Sequence, residues 1–245
     1  MKAIGVIPVR LESTRLPMKA LVNICGMPLI LHTLKRTQMA KILDDVYVAT
    51  DSKEVIDLVE KNGGKAMMTS KTHPTGTDRV AEAAKKIDAD IIVNIQGDEA
   101  LVSPEHIDAG VKGLINSDAE VSILLTKFYK KNVTSSIKAV VNLKNEIMYM
   151  SRVDIPSDAR TKVRELLKAY HVVSFRKPFL LKYSKMKTSP LEKIEYNEYL
   201  KILEHGYKIQ GVLVDSDSIS VDTPEDLDFV RKKMLKDPLY PIYKI

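Results

Sequence analysis

The chain of 245 residues contains one cysteine, Cys25, and its apolar runs are short. A single cysteine excludes an internal disulfide and leaves no second thiol for a metal cluster, which is typical of a reducing compartment. No apolar run approaches the roughly 20 residues that a membrane-spanning helix needs. The N-terminal segment lacks the small-residue cleavage pattern of a signal peptide. We therefore expect a cytoplasmic protein.

The sequence also lacks blocks of one charge. Its net charge is +6, but lysine and arginine alternate with aspartate and glutamate along most of the chain. A nucleic-acid-binding module is one alternative for a basic protein, yet the clustered basic stripe and exposed aromatics that this function needs are missing. With 44% hydrophobic and 29% charged residues, the chain can bury one sizeable core, or a core with a small additional lobe.

Three nearly continuous apolar runs read AIGVIPV, DDVYVAT and ADIIVNIQ, a pattern typical of strands buried on both faces. Helical periodicity lies between and after them. The predicted helices cover residues 28–42, 51–62, 78–87 and 103–116. Asp51 is the predicted N-cap of the second helix, with Glu54 three positions later. Strands alternating with helices predict an α/β protein with a parallel sheet.

After AEVSILLT the pattern changes. IKAVVNLKNEIMYMSR predicts two strands joined by a turn at Lys144 and Asn145, and AYHVVSF predicts another strand. Residues 132–175 are therefore expected to form a smaller, partly antiparallel lobe. SPLEKIEYNEYLKILEHG predicts one helix that is capped by Ser189 and ends at Gly206. The strand KIQGVLV and a last helix from TPEDLDFVRKKM follow.

A cationic loop, RLESTRLPMK, follows the first predicted strand and contains Arg10, Arg15 and Lys19. In open parallel sheets the loop after the first strand commonly holds phosphate. The loop lacks both G-x-G-x-x-G and the P-loop pattern, so side-chain cations rather than backbone amides would hold the phosphates. The alternative is a solvated basic turn without a ligand.

Acidic residues occur at two further places. Asp98 and Glu99 follow a predicted strand in NIQGDEALVSPE, and Asp222 lies in SISVDTPEDL. A carboxylate at the end of a strand, opposite a cationic loop, is typical of a site that holds Mg²⁺ on nucleotide phosphates. For Asp98 the alternative is a role in the turn after Gly97. For Asp222 the alternative is helix capping.

Seven segments occur in a recognisable order: RLESTRLPMKALVNICGMPLI, ATD, THPTGTDRVAE, VNIQGDEALV, MYMSR, SPLEKIE and VDTPEDL. Together they closely resemble the 3-deoxy-manno-octulosonate (Kdo) cytidylyltransferases, or CMP-Kdo synthetases, over nearly the whole chain. The resemblance implies a Rossmann-like nucleotidylyltransferase fold, with a mostly parallel central sheet flanked by helices, in a single domain over residues 1–245. It also implies a homodimer that converts CTP and a sugar acid to a CMP-sugar and pyrophosphate with Mg²⁺. The product would serve lipopolysaccharide or surface polysaccharide synthesis.

The resemblance also implies roles for individual residues. Those implied to act in catalysis are Arg10, Arg15, Lys19 and Asp98. Those implied to bind the nucleotide are Arg10, Ser13, Lys19, Thr75, Gly76, Thr77, Arg79 and Gln96. Asp98 and Asp222 would ligate Mg²⁺. The sugar acid would be bound by Arg152, Lys168, Glu195 and Glu198, with residues 132–175 serving sugar binding and dimerisation.

Some residues depart from the family pattern. In the first loop, Met18 and Ala20 replace a glycine and a proline. At the sugar-binding end the changed residues are Lys168, Ala169, His171, Tyr199 and Lys201. These changes predict a preference shifted away from Kdo, for example towards its 8-amino analogue or another 3-deoxy ulosonic acid. An inactive homologue and an enzyme that uses ATP or UTP are further alternatives, although retention of Asp98 and Asp222 argues against inactivity.

Overall fold

The computed structural model describes residues 1–11, 16–216 and 219–244, with the backbone alone at His171. The chain divides into two compact units. Unit 1 comprises Met1–Asp108 and Ser218–Ile245, and unit 2 comprises Ala109–Asp217. The first boundary between them falls within a helix.

Unit 1 begins with alternating strands and helices. In chain order these are β1 (Ala3–Val9), a 3-10 helix (Lys19–Leu21), β2 (Asn23–Ile24), β3 (Met27–Pro28), α1 (Leu29–Gln38), β4 (Asp45–Thr50), α2 (Lys53–Lys61), β5 (Lys65–Met68), α3 (Gly76–Ala84), β6 (Ile91–Ile95) and α4 (Pro104–Ile115). Strands β6, β1, β4 and β5 pair in that order and are parallel throughout. Every residue of β1 and β6 is buried, which confirms the interpretation of these two apolar runs, whereas Asp45 and Tyr47 of β4 are only partly buried.

Unit 2 contains most of the antiparallel pairing. Its elements are β7 (Val121–Phe128), β8 (Lys138–Val141), β9 (Ile147–Ser151), β10 (Leu166–Arg176), α5 (Lys177–Tyr183), α6 (Pro190–Glu195), α7 (Leu200–Glu204) and β11 (Ile209–Leu213). Strand β7 pairs in parallel with β11 and antiparallel with β10, while β8 pairs antiparallel with β10 and β9. The turn between β8 and β9 contains Asn145 at φ 60°, as the predicted turn requires. The chain then returns to unit 1 for α8 (Pro224–Met234) and α9 (Tyr240–Tyr243).

Hydrogen bonds to side-chain oxygens define where several helices begin. The hydroxyl of Ser52 accepts from the backbone N–H of Val55, so Ser52 caps α2 and the predicted cap at Asp51 is wrong. The helix predicted from residue 78 begins earlier, at Gly76, because Thr75 accepts from the backbone N–H of Asp78. A hydroxyl reaches the first free N–H groups without the charge of a carboxylate, and both residue types are common caps.

The single helix predicted to end at Gly206 is wrong. Helix α6 stops at Tyr196, which has φ 48° in the left-handed region, and α7 begins only at Leu200. The predicted cap at Ser189 is confirmed by a capping box with Glu192. Sequence periodicity continued across the break because it records which face is apolar and does not record the φ of one residue. Within the described part of the chain, no helix is long and apolar enough to cross a membrane.

Candidate active site

Lys19 occupies the start of the 3-10 helix that follows the first loop, directly after Met18 at φ 52°. Its Nζ donates to Oδ2 of Asp98 at 2.6 Å and to Oδ1 of Asp222 at 2.9 Å. The three side chains are 19%, 21% and 32% exposed, respectively. One ammonium group therefore joins two carboxylates in a partly buried cluster, which we call the Lys19 cluster.

The fold brings Asp98 to this position through the end of β6. A Cβ on Gly97 would lie 2.9 Å from Cγ2 of Val9 and 3.0 Å from the carbonyl oxygen of Pro8. Only a glycine permits so close an approach between the ends of β6 and β1. Asp98 then follows at the carboxyl end of the parallel strands, the edge at which α/β proteins bind ligands.

Asp222 reaches the same place from the C-terminal segment. The backbone N–H of Val221 donates to the carbonyl of Asp98 at 3.0 Å. The Val221 side chain is fully buried in an apolar cluster that includes Ile24 and Leu227. Packing of α8 therefore fixes Asp222 beside Asp98.

Thr223, and not Asp222, caps α8. The Thr223 side chain accepts from the backbone N–H of Asp226, and the Asp226 carboxylate accepts from the backbone N–H of Thr223 at 2.9 Å. This reciprocal pair is a capping box. The structure thus gives the cap to Thr223 and directs Asp222 towards Lys19.

Electrostatics keep the ammonium group charged. Burial would lower the pKa of Lys19, but the Coulombic attraction and hydrogen bonds of Asp98 and Asp222 outweigh it and hold the pKa above its ordinary value. The two carboxylates therefore converge on a position that a cation occupies.

The described residues contain no group of three or more His, Cys, Asp or Glu side chains that could hold a metal ion. Mg²⁺ at nucleotide sites commonly takes one or two protein carboxylates and completes its octahedron with phosphate oxygens and water. The donor set of Asp98 and Asp222 fits a divalent ion of that kind.

Of the other residues predicted to bind phosphate in the first loop, the structure describes only Arg10. Arg10 is exposed directly after β1. Ser13 and Arg15 lie outside the described residues.

The predicted nucleotide segment forms the start of α3. Thr75 caps the helix, and its hydroxyl also donates to Oδ2 of Asp78 at 2.8 Å. Arg79 is only 4% exposed, and its guanidinium donates to Thr69 Oγ1 at 2.6 Å and to Asp51 Oδ2 at 3.1 Å. Arg79 therefore ties α3 to the residues that follow β4 and β5.

Gly76 and Thr77 lie beside the end of β6. Thr77 is fully buried and accepts from Nδ2 of Asn94 at 3.1 Å. Nε2 of Gln96 donates to Oδ1 of Asn94 at 2.9 Å, so the predicted residue Gln96 is held through Asn94. A Cβ on Gly76 would lie 3.3 Å from Oε1 of Gln96. The structure thus brings Gly76, Thr77 and Gln96 together.

In unit 2 the structure brings Arg152 and Glu195 into contact. The Glu195 carboxylate accepts from Ser151 Oγ at 2.7 Å, from the Arg152 backbone N–H at 2.9 Å and from Tyr149 Oη at 3.2 Å. Burial would raise the pKa of Glu195, but these donors hold it below its ordinary value. The Arg152 guanidinium donates to the carbonyl oxygens of Glu195, Tyr196 and Thr134.

The other two residues predicted for sugar binding have separate surroundings. Oε2 of Glu198 accepts from Tyr183 Oη at 3.0 Å. Lys168 lies on β10, with its Nζ 5.7 Å from the centre of the Phe128 ring. The geometry thus joins Arg152 to Glu195 and gives Lys168 and Glu198 other partners.

Comparisons with known proteins identify the family. A family model described as cytidylyltransferase matches residues 4–209. The 3-deoxy-manno-octulosonate cytidylyltransferase of Geobacter metallireducens is 40% identical over 250 residues, which cover 96% of this chain and 98% of that protein. The chain belongs to the 3-deoxy-manno-octulosonate cytidylyltransferase family. The member from Nitratiruptor sp. is 41% identical over 231 residues, covering 91% of this chain and 95% of that protein.

A solved structure extends the agreement to the fold of the family. CMP:2-keto-3-deoxy-manno-octonic acid synthetase, complexed with CTP, matches with a TM-score of 0.92 and 34% identity. The match covers 96% of this chain and 99% of that chain. It confirms the predicted Rossmann-like nucleotidylyltransferase fold with a mostly parallel sheet flanked by helices. As a member of the Kdo cytidylyltransferase family, the protein is a nucleotidyltransferase.

Three of the departures from the Kdo cytidylyltransferase pattern lie in the interior of unit 2. Ala169, Tyr199 and Lys201 are 8%, 8% and 7% exposed. Nζ of Lys201 lies 4.1 Å from the centre of the Tyr183 ring and 3.7 Å from Oε1 of Glu192. These three changes alter packing inside unit 2. The side chain of His171 lies outside the described residues.

Sequence reasoning missed Lys138, which the structure buries completely. Its Nζ donates to the carbonyl oxygens of Val133 and Ser136 at 2.8 and 2.9 Å, and also to that of Arg152. Burial lowers the pKa of Lys138 despite the nearby charge of Asp154. A lysine inside the run IKAVVNL was the available signal, because alternation along a strand places it on one face with Val140.

Proposed function

We propose that this protein transfers the cytidylyl group of CTP to Kdo, forming CMP-Kdo and releasing pyrophosphate. The observation that carries the proposal is the Lys19 cluster, in which Asp98 and Asp222 both accept hydrogen bonds from the ammonium group of Lys19. This chain also belongs to a family whose members carry that enzyme name.

The reaction requires the anomeric hydroxyl of Kdo to attack the α-phosphorus of CTP. The new bond joins that oxygen to phosphorus while the hydroxyl proton is released to solvent and the bond to the pyrophosphate oxygen breaks, so negative charge grows on the departing group. Cations that are already in place stabilise this charge at little reorganisation cost. We assign that role to Lys19 and Arg10, with Ser13 and Arg15 of the same loop as further phosphate ligands.

The proposed cofactor is Mg²⁺, held by Asp98 and Asp222. When bound, the ion would neutralise phosphate charge and orient the triphosphate. Lys19 has the same two carboxylates as partners in this structure, so its ammonium group and a divalent ion compete for them. Lys19 is thereby made available to phosphate oxygens when the ion is bound.

For the nucleoside we propose a site formed by Thr75, Gly76, Thr77 and Gln96. Arg79 contributes to this site by donating hydrogen bonds to Thr69 and Asp51, which fix the start of α3.

For the sugar acid we propose Arg152, Lys168, Glu195 and Glu198. The Kdo carboxylate needs a cation, which Lys168 or Arg152 supplies. Glu195 orients Arg152, because its carboxylate accepts from the Arg152 backbone N–H and its carbonyl oxygen accepts from Nε of the guanidinium.

We further propose that residues 132–175 contribute to sugar binding and to a homodimer interface. Large apolar side chains in this part of unit 2 are well exposed, since Leu143, Met148 and Val153 have relative exposures of 105%, 64% and 63%. Exposed apolar side chains of this size are available for contact with a second subunit.

Pyrophosphate release over a matrix of substrates tests the proposed function. CTP, UTP and ATP would each be combined with Kdo, its 8-amino analogue and sialic acid, with and without Mg²⁺. We expect release with CTP, Kdo and Mg²⁺ together. Activity with sialic acid but with neither Kdo nor its 8-amino analogue would contradict Kdo as the acceptor. No pyrophosphate release with CTP and any of the acids would favour an inactive homologue.

A further inference from the structure

Asn94 is a polar residue in the middle of the buried sheet of unit 1. It lies on β6 within the run IIVNIQ, and its side chain is fully buried. A buried amide that lacks partners is destabilising, so such groups are normally hydrogen-bonded. Asn94 meets this requirement through two contacts, to Thr77 and to Gln96.

The two contacts use opposite sides of the Asn94 amide. Nδ2 donates to Thr77 Oγ1 at 3.1 Å, and Oδ1 accepts from Gln96 Nε2 at 2.9 Å. Asn94 and Gln96 are two residues apart, so their side chains project from the same face of the strand. The Gln96 nitrogen is thereby turned towards Asn94, and its carbonyl oxygen Oε1 lies beside Gly76 at the start of α3.

Gly76 confines the same amide from another side. A Cβ built on Gly76 would lie 3.3 Å from Oε1 and 3.4 Å from Nε2 of Gln96, and 3.4 Å from Cγ of Pro8. Any side chain at position 76 would therefore press on Gln96, and the Pro8 ring limits movement away from it. The amide of Gln96 fits between Gly76 and Asn94.

We propose that Asn94 is a positioning residue that holds the nitrogen side of the Gln96 amide, so that Oε1, beside Gly76, accepts a hydrogen bond from the nucleoside part of CTP. This inference rests on the proposed function and adds a residue that does not itself touch substrate. The donor is either the 4-amino group of cytosine or the 2′-hydroxyl of the ribose, since both present an N–H or O–H to a carbonyl oxygen.

Three variants separate positioning from simple stability. Asn94→Leu removes both contacts of the amide at similar volume. Asn94→Asp keeps an acceptor for Nε2 of Gln96 and therefore keeps the orientation of the Gln96 amide. Gly76→Ala displaces Gln96 from the other side, and alanine is a better helix former than glycine, so this variant should fold.

The measurement is calorimetric binding of CTP, UTP and 2′-deoxy-CTP, each with Mg²⁺, alongside thermal unfolding and turnover with Kdo. We expect Asn94→Leu and Gly76→Ala to reduce the preference for CTP over one of the two analogues about tenfold, which corresponds to the loss of one hydrogen bond. A reduced CTP to UTP ratio assigns the contact to the base amine, and a reduced CTP to deoxy-CTP ratio assigns it to the ribose. Asn94→Asp should retain the wild-type ratio.

Thr37→Val is the matched control, because Thr37 is fully buried in unit 1 and its hydroxyl donates to the Thr33 carbonyl. It should lower the melting temperature without altering either ratio. Unchanged ratios in both Asn94→Leu and Gly76→Ala, or an effect confined to the KM for Kdo, would overturn the inference. Because binding is measured without Kdo, wild-type protein that binds CTP selectively but does not turn over would refute the proposed function alone.

Discussion

Nζ of Lys19 lies 2.6 Å from Oδ2 of Asp98, and the same ammonium group reaches Asp222. Two carboxylates that share one ammonium group repel each other when that cation is removed. Lys19 supplies that cation from the protein itself. Its replacement should therefore change nucleotide turnover and metal dependence together.

The first prediction concerns Lys19→Met, which keeps the length of the side chain and removes its charge. We expect kcat/KM for CTP to fall by roughly tenfold to over a hundredfold, because a charged hydrogen bond contributes about 1.5–3 kcal/mol. At low Mg²⁺ the melting temperature should also fall, and added Mg²⁺ should raise it more than in wild type. Differential scanning fluorimetry over a Mg²⁺ series measures this shift.

Lys53→Met is the matched control for that variant. Lys53 is 72% exposed and pairs with Asp57 on the surface of α2, an arrangement that contributes little to stability. Turnover and Mg²⁺ response should match wild type. If Lys19→Met behaved like Lys53→Met, the Lys19 cluster would have no part in catalysis.

The second prediction separates Asp222 from the helix cap beside it. Asp222→Asn removes the negative charge that a divalent ion requires, so turnover should nearly vanish while the melting temperature stays close to wild type. Thr223→Ala removes the N-cap and should cost about 0.5–2 kcal/mol of unfolding free energy, with turnover retained. Denaturant titration and pyrophosphate release distinguish the two. Full activity of Asp222→Asn throughout a Mg²⁺ titration would contradict the metal role.

The sequence was sufficient for features that short segments determine. Strands β1 and β6 could be predicted because every residue in them is buried, so each appears in the sequence as a continuous apolar run. The cap at Ser189 was predicted because its partner Glu192 is only three residues away. The family motifs located Lys19, Asp98 and Asp222, although they are distant in the chain.

Features that depend on tertiary contacts were beyond prediction. The break at Tyr196 follows from one left-handed residue within an otherwise continuous helical pattern. The burial of Arg79 and Lys138 follows from carbonyl, hydroxyl and carboxylate oxygens supplied by other segments. A lysine or arginine carries no local sign of such partners, and most are exposed. The sequence therefore identifies the charged residues but does not show which of them form hydrogen bonds within the protein.

The third prediction is a pH dependence at Glu195. Its pKa is lowered in the folded protein by the donors from Arg152, Ser151 and Tyr149. A depressed carboxylate pKa stabilises the fold above the ordinary value of about 4.3, and the contribution is lost as pH falls through the folded pKa. Glu195→Gln should therefore lower the unfolding free energy near pH 7, and the gap from wild type should narrow below about pH 4.

Denaturant unfolding at several pH values measures this gap. Glu60→Gln on the exposed face of α2 is the control, and its stability should follow wild type across the series. A gap for Glu195→Gln that stays constant or widens in acid would show that the carboxylate charge does not stabilise the Arg152 contact.

The fourth prediction tests the departures near the proposed sugar site. Because Lys201 is buried against Tyr183 and Glu192, Lys201→Arg, which keeps the charge but enlarges the side chain, should alter the melting temperature but not acceptor choice. Lys168→Ala should instead raise the KM for Kdo about tenfold, since a charged contact to the carboxylate is lost. Competition between Kdo and its 8-amino analogue, each at limiting concentration with CTP, measures selectivity. A large change in that ratio for Lys201→Arg would show that interior packing of unit 2 determines the acceptor, and an unchanged KM for Lys168→Ala would remove Lys168 from the sugar site.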